Sequence, residues 1–235
     1  MIKAILPKHV KLSIKLALRW LNDFQQGNLS RFAKRKKPTT EYTHRIELKQ
    51  ALRPNPAKEH NLAIAAGSIS SVHIFPDEIF SFWKAVGNPS EKRGFKASRS
   101  IVGGKVEKSV GGGLCQLSGM VYYISLMAGL EVMERYNHSI DIYDEETRFT
   151  PLGSDATVAY GYKDLRIRNS LQSPIKFSFL IEKEYIAIYL SSIEPFKAKE
   201  ISFIQRKASD ISVNVETYIG DRLVADSFYK RGAHT

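Results

Sequence analysis

The chain has one cysteine, Cys115, and it sits in the run Gly111-Gly112-Gly113-Leu114-Cys115-Gln116-Leu117-Ser118. Three consecutive glycines permit positive φ and a close approach of the backbone to another group. Leu117, Val121, Ile124 and Ala128 then recur at helical spacing, with Gly129 placed to end the helix. The thiol therefore opens a helix, where unpaired N–H groups and the helix dipole favour a thiolate, the form in which cysteine attacks carbon. Ser118 and Gly119 share its face and leave room beside it. The same residues also fit a plainer reading, a small buried apolar side chain after a flexible turn.

A cysteine nucleophile needs a base. Residues 131–143 read as a strand in which Tyr136, His138, Ile140 and Ile142 face one way. Asn137, Ser139, Asp141 and Tyr143 face the other. His138 thus lies on the more apolar side, where a helix packed on the sheet could meet it. The other histidines (His9, His44, His60, His73, His234) are scattered, and with one cysteine there is no zinc-site spacing. No metal or other cofactor is expected. A single cysteine also rules out an intramolecular disulfide.

The elements that must position these residues occupy 235 residues, 43% of them apolar, enough for a sizeable core. The net charge of +11 is concentrated at the front. Residues 1–60 hold 14 Lys and Arg against 4 acids, and the remainder 21 against 20. An amphipathic helix is predicted from about Lys8 to Gln26, with Leu6, Val10, Ile14, Ala17, Leu21 and Phe24 on one stripe and Lys8, Lys11, Lys15 and Arg19 on another. Cations interrupt every apolar run, so it is neither a membrane span nor a signal peptide. Its apolar face either packs on the protein's own core, the preferred reading, or lies on an anionic membrane surface. The basic run 31–38 has only Phe32 for stacking, which disfavours nucleic acid as a partner.

Residues 42–54 read as a strand or a short helix. A short helix is expected over 60–66, ending at Gly67, followed by a strand at 72–75 and an apolar segment at 79–83. Residues 87–96 read as a loop, and 101–106 as a hairpin turning at Gly103-Gly104. After Gly153 the expectation is strands at 155–162, 164–168, 175–179, 185–190, 201–204, 211–219 and 223–229. The fold class is α+β: an N-terminal helical arm, a central helix packed on an antiparallel sheet, and a β-rich C-terminal region.

Several blocks occur in an order that resembles the VanW family of bacterial proteins. They are Phe80-Ser81-Phe82, Ile101-Val102-Gly103-Gly104-Lys105, the Gly111–Ser118 run, Ala128-Gly129-Leu130-Glu131, Glu134-Arg135-Tyr136-Asn137-His138-Ser139, Pro151-Leu152-Gly153-Ser154-Asp155-Ala156-Thr157-Val158, and Asp164-Leu165-Arg166-Ile167-Arg168-Asn169. Gly119-Met120 departs from the small hydroxylic residues more usual in the family after the cysteine run. The resemblance spans about residues 60–180 and divides the chain into a basic arm (1–58), a VanW-like core (59–182) and a β-rich extension (183–235). It implies a bacterial cell-envelope and vancomycin-resistance context and supplies no reaction. A cytoplasmic setting is expected, with peripheral attachment to the membrane as the alternative in which the N-terminal helix does not pack on the core.

The order cysteine-helix, histidine-strand, aspartate-strand is also similar to papain-like and transglutaminase-like enzymes, an analogy of fold alone. It casts Cys115 as nucleophile, His138 as base and Asp155 as the group that orients the imidazole, Asp141 being on the far face of its strand. N–H groups around Cys115 and Gln116 would hold an oxyanion, and Gly111, Gly112, Gly113, Gln116, Ser118 and Asn137 would contact substrate. The reaction would be acyl transfer or amide hydrolysis on a small peptide or cell-wall precursor of the peptidoglycan type. The competing reading is a binding module whose glycine loop cradles a carboxylate or phosphate without chemistry.

Overall fold

The computed structural model describes residues 6–35, 41–102, 105–141 and 150–231, the side chains of 99–107 excepted. The chain opens with α1 (Lys8–Gln25), then β1 (Lys34–Arg35) and β2 (His44–Ala51), so 42–54 is a strand. Next come α2 (Pro56–Ser70), β3 (Val72–Ile74), β4 (Ile79–Ser81) and α3 (Phe82–Val86). A 3-10 turn at Glu91–Arg93 lies within the expected loop and leads to the hairpin β5 (Ala97–Val102) and β6 (Lys105–Val110). Val102 pairs with Lys105, as a two-residue turn requires, while Gly103 and Gly104 lie outside the described residues. The central helix is α4 (Leu114–Met127), followed by β7 (Glu131–Glu134), β8 (Ile140–Asp141), β9 (Arg166–Arg168), β10 (Ile175–Ile181) and β11 (Tyr185–Ser192). A last meander holds β12 (Ile201–Ser209), β13 (Ser212–Ile219) and β14 (Arg222–Arg231).

The mixed α+β class is as the sequence indicates. A five-stranded sheet runs β1-β3-β10-β11-β2, all neighbours antiparallel. The β10–β11 pair crosses residue 182, and β2 from the basic arm seals the sheet edge beside β11. α2 and α4 cover this sheet, and Leu62, Ile69, Leu117, Val121, Ile124, Phe177, Ile188 and Leu190 form the main core. Burying side chains of this size stabilises the fold by roughly 1.5–3 kcal/mol each. A three-stranded sheet, β4-β9-β7, flanks it. The meander forms a four-stranded sheet, β12-β13-β14-β8, with a small core of its own in which Leu152, Val213, Val215 and Tyr229 pack together.

Three expectations are corrected. α2 is 15 residues long and passes through Gly67. Its true start is Asn55, whose side chain accepts from the Lys58 N–H at 3.0 Å while Glu59 accepts from the Asn55 N–H at 2.9 Å, a reciprocal cap with Pro56 in the first turn. Residues 155–162 form no strand; they run as an irregular segment with one bridge, Ala159 to Lys163. The strand expected over 131–143 breaks after Glu134 and resumes only at Ile140, so His138 sits in a loop and no alternation relates it to Asp141. Ile142 and Tyr143, like Lys36, Lys37 and Pro38 of the basic run, lie outside the described residues.

α1 does not bury the stripe that its pattern marks as apolar. It meets the body through its other side, with Arg19 forked onto Glu134 at 2.9 and 2.7 Å and Asp23 paired with Arg166 at 2.5 and 3.1 Å. Among the described residues, no helix is long and apolar enough to cross a membrane.

Candidate functional site

The site forms where the head of α4 meets two loops. Gly111 and Gly113 both have positive φ, 81° and 99°. A Cβ on Gly111 would lie 2.8 Å from Pro89, and one on Gly113 would lie 2.7 Å from the Lys58 side chain. Glycine is thus required twice, for conformation and for space, to turn the β5–β6 hairpin abruptly into α4. Gly112 is buried, and its carbonyl accepts from the Asn61 side chain at 3.0 Å. α4 lies against the next segment at Gly119, where a Cβ would make ordinary contact at 3.6 Å with the Asp155 Cα. Ser118 reinforces that contact by donating to the Ala156 carbonyl at 2.6 Å.

This packing brings Cys115, His138 and Asp155 together. The Asp155 carboxylate accepts from the His138 ring Nδ1 at 2.6 Å and from the His138 backbone N–H at 2.7 Å, both on Oδ2. The Cys115 side chain lies beside the same imidazole and favours its protonated form. With Nδ1 held by Asp155, the nitrogen left for the sulfur is Nε2. The thiol also lies 3.9 Å from the Val158 carbonyl oxygen. All three residues are half-buried and line one cleft of about 690 Å³.

Behind the aspartate stands a layer that sequence reasoning missed. Oδ1 of Asp155 accepts from the Tyr229 hydroxyl at 2.5 Å and from Arg135 at 3.1 Å. Arg135 also donates to the Asp155 and Gly153 carbonyls and to Ser227, and its guanidinium lies over the Tyr122 ring. Tyr229 and Ser227 come from β14, so the C-terminal meander completes a site built mostly by the central region. Arg135 lay inside the block that carries the family resemblance. Nothing near Tyr229 in sequence marks it, since it is 74 residues from its partner.

These contacts set the charges. Burial disfavours an imidazolium, but the Asp155 hydrogen bond, the neighbouring Cys115 and the Asp155 charge outweigh it and raise the His138 pKa to about 10. Burial likewise opposes ionised Asp155, yet His138 and the Arg135 charge hold its pKa down to about 2. The Tyr229 hydroxyl is pushed well above its ordinary range by burial and by the Asp155 charge, so it remains a donor. The resting pair is imidazolium and carboxylate.

The expected ligand-contacting residues divide. Gly111, Gly113 and Gln116 line the cleft; Gly112, Ser118 and Asn137 do not. Asn137 instead pins its loop to β14, donating to the Phe228 carbonyl at 2.7 Å. The Gln116 side chain donates to the Ala51 carbonyl at 3.2 Å, and its backbone N–H is spent on the Gly113 carbonyl at 2.9 Å. Of the two backbone donors expected beside the sulfur, only the Cys115 N–H has no backbone acceptor among the described residues. Asn55, Arg53, Lys58, Trp83, Tyr160 and Lys163 also line the cleft, none of them anticipated as site residues. No group of His, Cys, Asp or Glu suited to a metal ion occurs among the described residues.

No solved structure matches the chain. Residues 57–191, more than half of it, match the family model described as VanW like protein. The uncharacterized protein YoaR of Bacillus subtilis is 36% identical over 121 residues, 52% of this chain and 38% of that protein. The vancomycin B-type resistance protein VanW of Enterococcus faecalis is 30% identical over 129 residues, 55% of this chain and 47% of its own length. The chain thus spans less than half of either relative. Cys115, His138, Asp155 and Arg135 all fall within the matched segment, while Tyr229 lies beyond it. On the extent of that match, the chain belongs to the VanW family.

Proposed function

We propose that this protein is a cysteine-dependent acyl transferase or amidase acting on a peptide of the peptidoglycan-precursor type. The observation that carries the reading is the Asp155–His138 hydrogen bond, with Cys115 beside the same imidazole at the edge of an open cleft. The name of the Enterococcus relative, a vancomycin resistance protein, supports a cell-wall peptide as the substrate class.

In this reading the sulfur attacks the scissile carbonyl carbon, and the Cys115 N–H at the head of α4 receives the developing oxyanion. Imidazolium His138 gives its proton to the leaving amine as the C–N bond breaks, leaving a thioester on Cys115. Neutral His138 then takes a proton from water or an acceptor amine as that nucleophile attacks the thioester, and the C–S bond breaks to release the acyl product and free the sulfur. Asp155 keeps Nδ1 protonated and the ring in plane throughout.

A second reading, a binding module for a carboxylate or phosphate, is favoured by Arg53, Lys58 and Lys163 around the same cleft. Complementation of a deletion strain under cell-wall antibiotic stress separates the two. The enzyme reading expects Cys115→Ser and His138→Gln to abolish function in folded protein, with Asp155→Asn milder. The binding reading expects Cys115→Ser to be nearly silent and Asp155→Asn to do most harm.

A further inference from the structure

We infer that α1 is an interfacial anchor that lays its outward apolar face on an anionic membrane surface. A surface helix of a globular protein normally buries its apolar stripe and shows charge to water. α1 does the reverse. Its charged residues Arg19 and Asp23 are turned inward onto Glu134 and Arg166, with Leu12 against Gly161. Its apolar side faces out: Leu18 is 54% exposed, Trp20 56%, Leu21 44% and Phe24 61%, the two rings stacked at 5.7 Å. Leaving four such side chains in water costs the protein unless something covers them.

The charge pattern says what does. Lys8 and Lys15 are exposed and Lys11 half-buried along one rim of this apolar face, and none has an ion pair among the described residues. Apolar residues with an aromatic pair, edged by lysines, match the acyl boundary and the anionic headgroups of a bilayer at once. A second copy of α1 would offer these lysines no acid, since Asp23, the helix's one acidic residue, is held by Arg166. Arg19 belongs to the inner face and takes no part. Because α1 is clamped to β7 by Glu134, one residue before Arg135, docking would also hold the cleft-bearing body at the membrane surface. The inference is independent of the cysteine chemistry.

Co-sedimentation of the full chain with vesicles of phosphatidylcholine, alone or mixed with phosphatidylglycerol, tests it. Binding is expected to the mixed vesicles only, and to fall steeply between about 0.1 M and 1 M salt. Replacing Lys8, Lys11 and Lys15 together with glutamine should weaken it about fivefold per lysine, on the order of a hundredfold in all. Leu18→Gln with Leu21→Gln, both solvent-facing and thus tolerated by the fold, should weaken it by about tenfold or more. Absence of binding to the mixed vesicles, or unchanged binding by either variant, overturns the inference. So does a solution dimer that the leucine substitutions dissolve while vesicles capture nothing.

Discussion

At the residue scale, the site's behaviour rests on one carboxylate that accepts four hydrogen bonds. Tyr229→Phe deletes the one from β14, and losing a hydrogen bond to a charged group should cost about 1.5–3 kcal/mol in urea unfolding. The pH dependence has a definite sign. His138 titrates at about 10 in the folded protein against an ordinary 6.5, so its stabilisation is complete below about 6.5 and is lost as pH rises through about 10. Asp155 titrates at about 2 against an ordinary 3.8, so its share is present above about 3.8 and disappears as pH falls through about 2. Following the His138 ring protons by NMR should give a midpoint near 10, moving toward 6.5 in Asp155→Asn. A midpoint near 6.5 in the unmodified chain would mean the ring is not held between Asp155 and Cys115 in solution.

At the scale of elements, legibility followed how local the deciding interactions are. α4 was plain because Leu117, Val121 and Ile124 all face the core and Gly129 stops the helix. The segment 131–143 misled because tertiary bonds outweighed its alternation. Asn137 ties that loop to β14 and Asp155 holds the His138 N–H, so Tyr136–Ser139 never joins a ladder. Asp155 therefore meets His138 for a reason other than strand face. The cap of α2, Asn55-Pro56 with Glu59, is local in sequence but lies outside the apolar periodicity that marks the helix. Asn55→Ala should destabilise the protein by about 1 kcal/mol. Because Asn55 also lines the cleft, that loss should be read by thermal unfolding rather than by activity.

For the whole molecule, the three parts of the chain are joined at the site rather than strung beside it. The arm contributes β2 to the main sheet and α1 to the β7–β9 side, and the meander contributes Tyr229 and Ser227 from β14. None of these joints is visible in sequence, since each links residues tens of positions apart. Asp23 and Arg166 are 143 residues apart and both buried, and breaking a buried pair by removing one partner costs on the order of 3 kcal/mol. Asp23→Ala should therefore release α1 first, seen as fast amide exchange over residues 8–25 while α4 stays protected. In the proposed reaction this assembly makes Cys115 a nucleophile that takes up the acyl group as a thioester. Its most direct test is the intact mass of the protein after brief reaction with a peptide p-nitrophenyl ester and an acid quench. The predicted result is a single thioester adduct on Cys115, absent in Cys115→Ser and formed about 10²–10⁴-fold more slowly in His138→Gln. No adduct, or equal labelling of the unmodified chain and His138→Gln, would contradict it.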